Sequence, residues 1–191
     1  MNDSPQPVIR RRFLKALLLA TILVAVAVSA FMFWFSPDSR VNRLFGGSVL
    51  VGPSGVDVVR KPIHVEAYRL GPVPEDKDGQ ILKLSEYPDI SSGVPVMPDA
   101  AKRLADILLD PASYSWQRRK ACIPRYGVRL HFQLEKESVD VLLCFECNLL
   151  AVYYRGVVSG ADFDPARPAL VREIRQLFPD DPAIKGLLDS N

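Results

Sequence analysis

The chain has 191 residues, room for one ordinary domain plus an accessory segment. Basic and acidic residues nearly balance, 24 against 22, so nothing in the net charge of +2 suggests a nucleic-acid surface or an acidic substrate. There is no internal repeat and no low-complexity tract, and the 16 prolines fall mostly between apolar segments, as breaks between elements do.

The first legible element is an uncharged apolar run from Ala16 to Phe35. A run of about 20 such residues matches a helix crossing a hydrocarbon core of about 30 Å. Its backbone groups bond within the helix, so lipid meets no orphaned donor. Phe33, Trp34 and Phe35 close it with interfacial aromatics, and Arg10, Arg11, Arg12 and Lys15 precede it. That basic bias predicts a single-pass signal-anchor: residues 1–15 in the cytoplasm, 16–35 across the bilayer and the remainder extracytoplasmic. The stretch Arg10-Arg11-Arg12-Phe13-Leu14-Lys15 resembles the core of bacterial twin-arginine export signals, with Ile9 where those carry Ser or Thr. That six-residue resemblance implies export of an already folded domain; an ordinary positive flank is the alternative. Cleavage after Ala30 is a further alternative, but the apolar run continues to Phe35. No cysteine near the end of the run offers a lipid attachment point.

Residues 36–55, with Gly46-Gly47 and Gly52-Pro53-Ser54-Gly55, read as a flexible linker, and residues 56–191 as the extracytoplasmic domain. Ile63 to Leu70 alternates like a strand. Gly71 to Pro98 reads as a long loop. Ala101, Leu104, Ala105 and Leu108 recur at helical spacing, and Asp110-Pro111 stops that helix. Val128, Leu130, Phe132 and Leu134 then alternate with polar residues, and Val139–Phe145 and Leu149–Tyr154 supply two more strands. A turn at Glu137-Ser138 would set Val128 opposite Cys147, Leu130 opposite Phe145 and Phe132 opposite Leu143, gathering one apolar face. Asp164-Pro165 reads as the N-cap and first residue of a last helix, with Leu170, Val171, Ile174, Leu177 and Phe178 as its stripe and Pro179 as its stop. The fold class expected is α+β: an antiparallel sheet of three to four strands with two main helices on one face.

Three cysteines carry what chemistry there is. Cys144-Phe-Glu-Cys147 is a C-x-x-C, but a strand follows it, not the helix start that lowers a thiol pKa in redox sites. An oxidising compartment favours a disulfide, Cys122–Cys147 first and Cys122–Cys144 second, with three reduced thiols as the alternative. Zinc held by Cys122, Cys144, Cys147 and His131 is the metal alternative; no other cofactor is expected. The same register sets His131 against Cys144 and Arg129 against Glu146, packing and an ion pair rather than a nucleophile with its base. Gly47 to Gly52 has Walker A glycine spacing but Pro53 where the lysine belongs, and Asp76 to Gly79 lacks the final bidentate Glu of a calcium loop. His64 reads as structural. Tyr114, Trp116, Arg118, Arg119 and Lys120 read as a solvated loop, or as contacts for anionic headgroups or a partner.

No catalytic residue is identified. The expectation is a membrane-tethered domain that binds a protein or envelope component without catalysis, on the sheet face carrying His131 and Tyr153 or in the long loop. A cysteine-dependent redox or zinc-binding domain and a hydrolase with scattered residues are the alternatives.

Overall fold

The computed structural model describes residues 17–29, 37–46, 52–72, 87–117 and 120–187. The chain forms two units, one ending at Ser39 and one beginning at Arg40. In the first, α1 is helical over 17–29 with every residue exposed. Among the described residues no helix is long and apolar enough to cross a membrane. Ala16 and residues 30–35 of the expected span lie outside the described residues, as do the twin-arginine stretch and the Ala30 cleavage point.

The second unit is an antiparallel six-stranded sheet with strand order β2-β1-β3-β4-β5-β6. Its strands are β1 (His64–Arg69), β2 (Val94–Pro95), β3 (Val128–Leu134), β4 (Glu137–Cys144), β5 (Leu149–Tyr154) and β6 (Val157–Asp162). Its helices are α3 (Gly55–Arg60), α4 (Pro98–Leu109), α5 (Arg167–Leu177) and α6 (Pro182–Lys185), and α2 (Pro37–Leu44) spans the boundary at Ser39 and Arg40. The α+β class holds, with more strands than the sequence reading gave. β2 is two residues long, and β6 (VVSGAD) lacks a clean alternation.

Alternation decides which side of the sheet is buried. Val65 and Ala67 of β1, Leu130 and Phe132 of β3, Val141 and Leu143 of β4, and Leu150 and Val152 of β5 share one core. Val58 and Val59 of α3, Leu104 and Leu108 of α4, and Leu170 and Ile174 of α5 pack into the same cluster. The apolar stripes of α4 and α5 are thus the buried faces that helical spacing predicts.

The meander's register differs from the expected one by four residues: Val128 pairs with Leu143, Leu130 with Val141 and Phe132 with Val139. The turn is Glu135-Lys136, with Glu135 at φ 55°, not Glu137-Ser138. An even shift keeps every side chain on its expected face, so the apolar pattern alone could not separate the two registers. The last hairpin turns on Arg155-Gly156, both at positive φ as a two-residue hairpin requires.

Two further differences concern helix starts. The stretch read as a linker contains α2, whose Val41 and Leu44 are buried, and the start of α3 at Gly55. Ser54 caps α3: its hydroxyl accepts from the Asp57 amide while the Asp57 carboxylate accepts from the Ser54 amide. Asp164, expected as the N-cap of the last helix, begins a 3-10 turn (Asp164–Ala166), and α5 starts at Arg167. Its carboxylate goes to Lys120 and Asn148 instead.

Candidate functional site

Helices cover one face of the sheet; the other carries its polar side chains. One row crosses it from Glu66 through His131 and Asp140 to Tyr153 and Val158, each the register partner of the next. His131 Nδ1 lies 2.8 Å from Asp140 Oδ1, and this hydrogen bond raises the imidazole's pKa above its ordinary value against the opposing effect of burial. The Tyr68 hydroxyl donates to Glu66 at 2.5 Å and His64 Nε2 lies 3.3 Å from the same carboxylate. The Tyr68 bond first, and His64 second, lower the Glu66 pKa. Arg129 stacks 4.4 Å from the centre of the Tyr68 ring and pairs with Asp89 at 2.6 Å.

The row is therefore acidic and basic groups already engaged with one another, with no nucleophile among them. The expected opposition of His131 to Cys144 and of Arg129 to Glu146 is replaced, because the four-residue register shift puts Asp140 and Leu142 in those places. At the β6 end Tyr153 and Val158 stand 43% and 54% exposed beside each other, an apolar contact area next to a polar one.

The second cluster gathers at the β4–β5 turn. Cys122 and Cys147 lie at disulfide distance, their Cα atoms 6.3 Å apart. This proximity does not depend on the register, because β4 runs toward the same end of the sheet in either one, bringing its following turn alongside the chain that leads into β3. Lys120 Nζ donates to the Cys147 carbonyl at 2.8 Å and pairs with Asp162 at 3.1 Å and Asp164 at 2.5 Å. Burial pushes the Asp164 carboxyl up, but the Lys120 and Asn148 hydrogen bonds outweigh it and hold its pKa below the usual range. Arg167 donates to the Asn148 side chain and to the Phe145 carbonyl. Lys120 thus belongs to a structural knot, and Tyr114, buried with its hydroxyl on the Leu108 carbonyl, to the core. Arg118 and Arg119 lie outside the described residues, as do Gly47 to Val51 and the Asp76 loop.

Cys144 is buried and unbonded. It lies near Tyr87 and Tyr126, whose rings pack edge to face at 5.4 Å over Leu142 and Ala151. Burial, with smaller effects of Tyr87 and Cys144, pushes the Tyr126 phenol up to about 12. The four residues of the zinc alternative do not converge: His131 pairs with Asp140, four residues along β4 from Cys144. Among the described residues no group of three or more His, Cys, Asp or Glu is placed to hold a metal ion.

No family model, no curated protein and no solved structure matches the chain.

Proposed function

We propose that this protein is a membrane-tethered binding module: residues 16–35 anchor it, and the sheet face carrying His131 and Tyr153 docks a protein partner without catalysis. The uncharged run, helical over 17–29 with all its side chains exposed, supports the tether, since such a helix calls for a hydrocarbon surround. The basic residues before it support an extracytoplasmic domain. The observation that carries the docking surface is the row itself. Its charges are mutually paired, so they can meet a partner without leaving a lone charge desolvated, and Tyr153 with Val158 supplies the apolar contact.

A photo-crosslinking residue placed at Tyr153 in the full chain, in its native membrane, tests this. The expected result is an adduct of one defined mass at 153 and none from the same residue at Arg172, which is exposed on α5. Equal adducts at both positions, or none at 153, would reject the surface.

A second reading follows from the cysteine corner. Cys122 is exposed and at disulfide distance from Cys147. A redox role requires that pair to cycle with a partner thiol, whereas a structural bond stays closed in the folded chain. The hydrolase alternative requires an enclosed pocket around a perturbed acid or histidine, and His131 lies instead on an open sheet face.

A further inference from the structure

We propose that the groove between the end of α3, the start of β1 and the N-terminal half of α4 binds the phosphate of an anionic lipid headgroup, with Ile63 and Met97 entering the apolar edge of the bilayer. The groove has a volume of about 390 Å³ and is lined by Arg60, Lys61, Lys102 and His64 together with apolar residues, and by no acid. In a chain whose net charge is only +2, that is a local concentration of one sign. Asp57 is held in the Ser54 cap, while Asp106 and Glu66 each pair with a lining group, Lys102 and His64, which leaves Arg60 and Lys61 as the cations that face the groove without an acid. Arg60 and Lys61 act on Asp57 at longer range, and among the described residues neither makes an ion pair.

The choice of a bilayer over a soluble anion rests on the rim. Ile63 lines the groove and Met97 stands in the chain between the lining residues Val96 and Pro98; they are 68% and 70% exposed, among the most exposed large apolar side chains of the domain. Cations set beside protruding apolar side chains match an anionic membrane interface, where the cations meet headgroup phosphate and the apolar groups enter the acyl boundary. A free phosphate would give Ile63 and Met97 nothing to do. This site meets the His131–Tyr153 surface only at His64, which pairs with Glu66, and does not depend on a protein partner there.

The test uses the full chain in neutral detergent micelles, labelled with carbon-13 on its methionine methyl groups. Three methionines give a short spectrum, and Met97→Leu assigns the reporting signal. The apolar N-terminal run sits in the micelle in every arm, so only the groove varies. Added phosphatidylglycerol is expected to shift the Met97 methyl saturably, and phosphatidylcholine to leave it in place. The Arg60→Gln/Lys61→Gln pair is expected to weaken the phosphatidylglycerol response roughly 30-fold, given the attraction of each cation near an anionic surface. No response to phosphatidylglycerol, an equal response to phosphatidylcholine, or an unchanged response in the double variant would overturn the proposal. An equal shift with inorganic phosphate alone would replace the lipid with a soluble anion and overturn it too.

Discussion

The two faces of the sheet are made of the same strands yet are specified by different physics. On the helix-covered face, Phe132, Leu130 and Leu143 are fully buried, and what defines the surface is volume. On the other, outside the Leu70–Leu142–Ala151 cluster under Tyr87 and Tyr126, Glu66, Tyr68, Arg129, His131 and Asp140 are half-buried, and what defines the surface is pairing. Removing atoms should therefore hurt the first face far more than the second, and pH should act on the second alone.

The sharpest way to break this contrast is Phe132→Ala, which empties a fully buried site and should cost about 3–5 kcal/mol in a denaturant titration. A loss under 1 kcal/mol would mean that the helices do not seal this face. Next comes the cluster at the β4–β5 turn. Lys120→Met leaves the Asp162 and Asp164 carboxylates without their cation and should cost about 3 kcal/mol at neutral pH. Part of that loss should be recovered at low pH, where the acids are neutral.

Cys147→Ser should cost roughly 3 kcal/mol if the pair is oxidised, from the closed loop it removes. Intact mass of the oxidised protein under denaturing alkylation should show one reactive thiol, Cys144; three would mean the pair is reduced.

The open face gives smaller effects. Asp140→Asn should cost up to about 1 kcal/mol, and the pH dependence fixes its cause. His131 has a raised folded pKa, so its pairing contributes fully below its ordinary value near 6.5 and is lost as pH rises through the folded value. The variant should therefore be destabilised at pH 5.5 and close to the parent at pH 9. Equal loss at both would make Asp140 a packing residue. Tyr153→Ala should change stability by less than about 0.5 kcal/mol, which keeps it usable as a probe of partner binding.

This contrast also explains what was legible in the sequence. Burial by volume leaves a periodic trace, so β1, β3, β4, β5, α4 and the stripe of α5 could be read from Val128, Leu130, Leu104 and Leu170. The trace has a period of two, however, and so it was blind to the four-residue offset between β3 and β4. What could have fixed the register is the Glu135-Lys136 turn, but Glu is a poor advertisement for positive φ. β6 was missed because Gly160 and Ser159 interrupt its apolar signal, and β2 because two residues ending in proline carry none. The Ser54-to-Asp57 cap of α3 was readable, yet the surrounding Gly and Pro spoke for a linker. Of the candidate site, His131 and Tyr153 could be named as sharing a face. Asp140 and Glu66 could not be placed beside them without the register. Lys120 read as one more basic loop residue because its acids stand about forty positions downstream.

The buried third thiol bears on the order in which the chain must mature. Three cysteines permit three pairings, and an oxidant meeting the extended chain has no reason to prefer one. Once β4 is in place, Cys144 is out of reach and the choice is made by geometry. A population carrying only the Cys122–Cys147 bond would then be a chemical record that the sheet closed before the oxidant arrived.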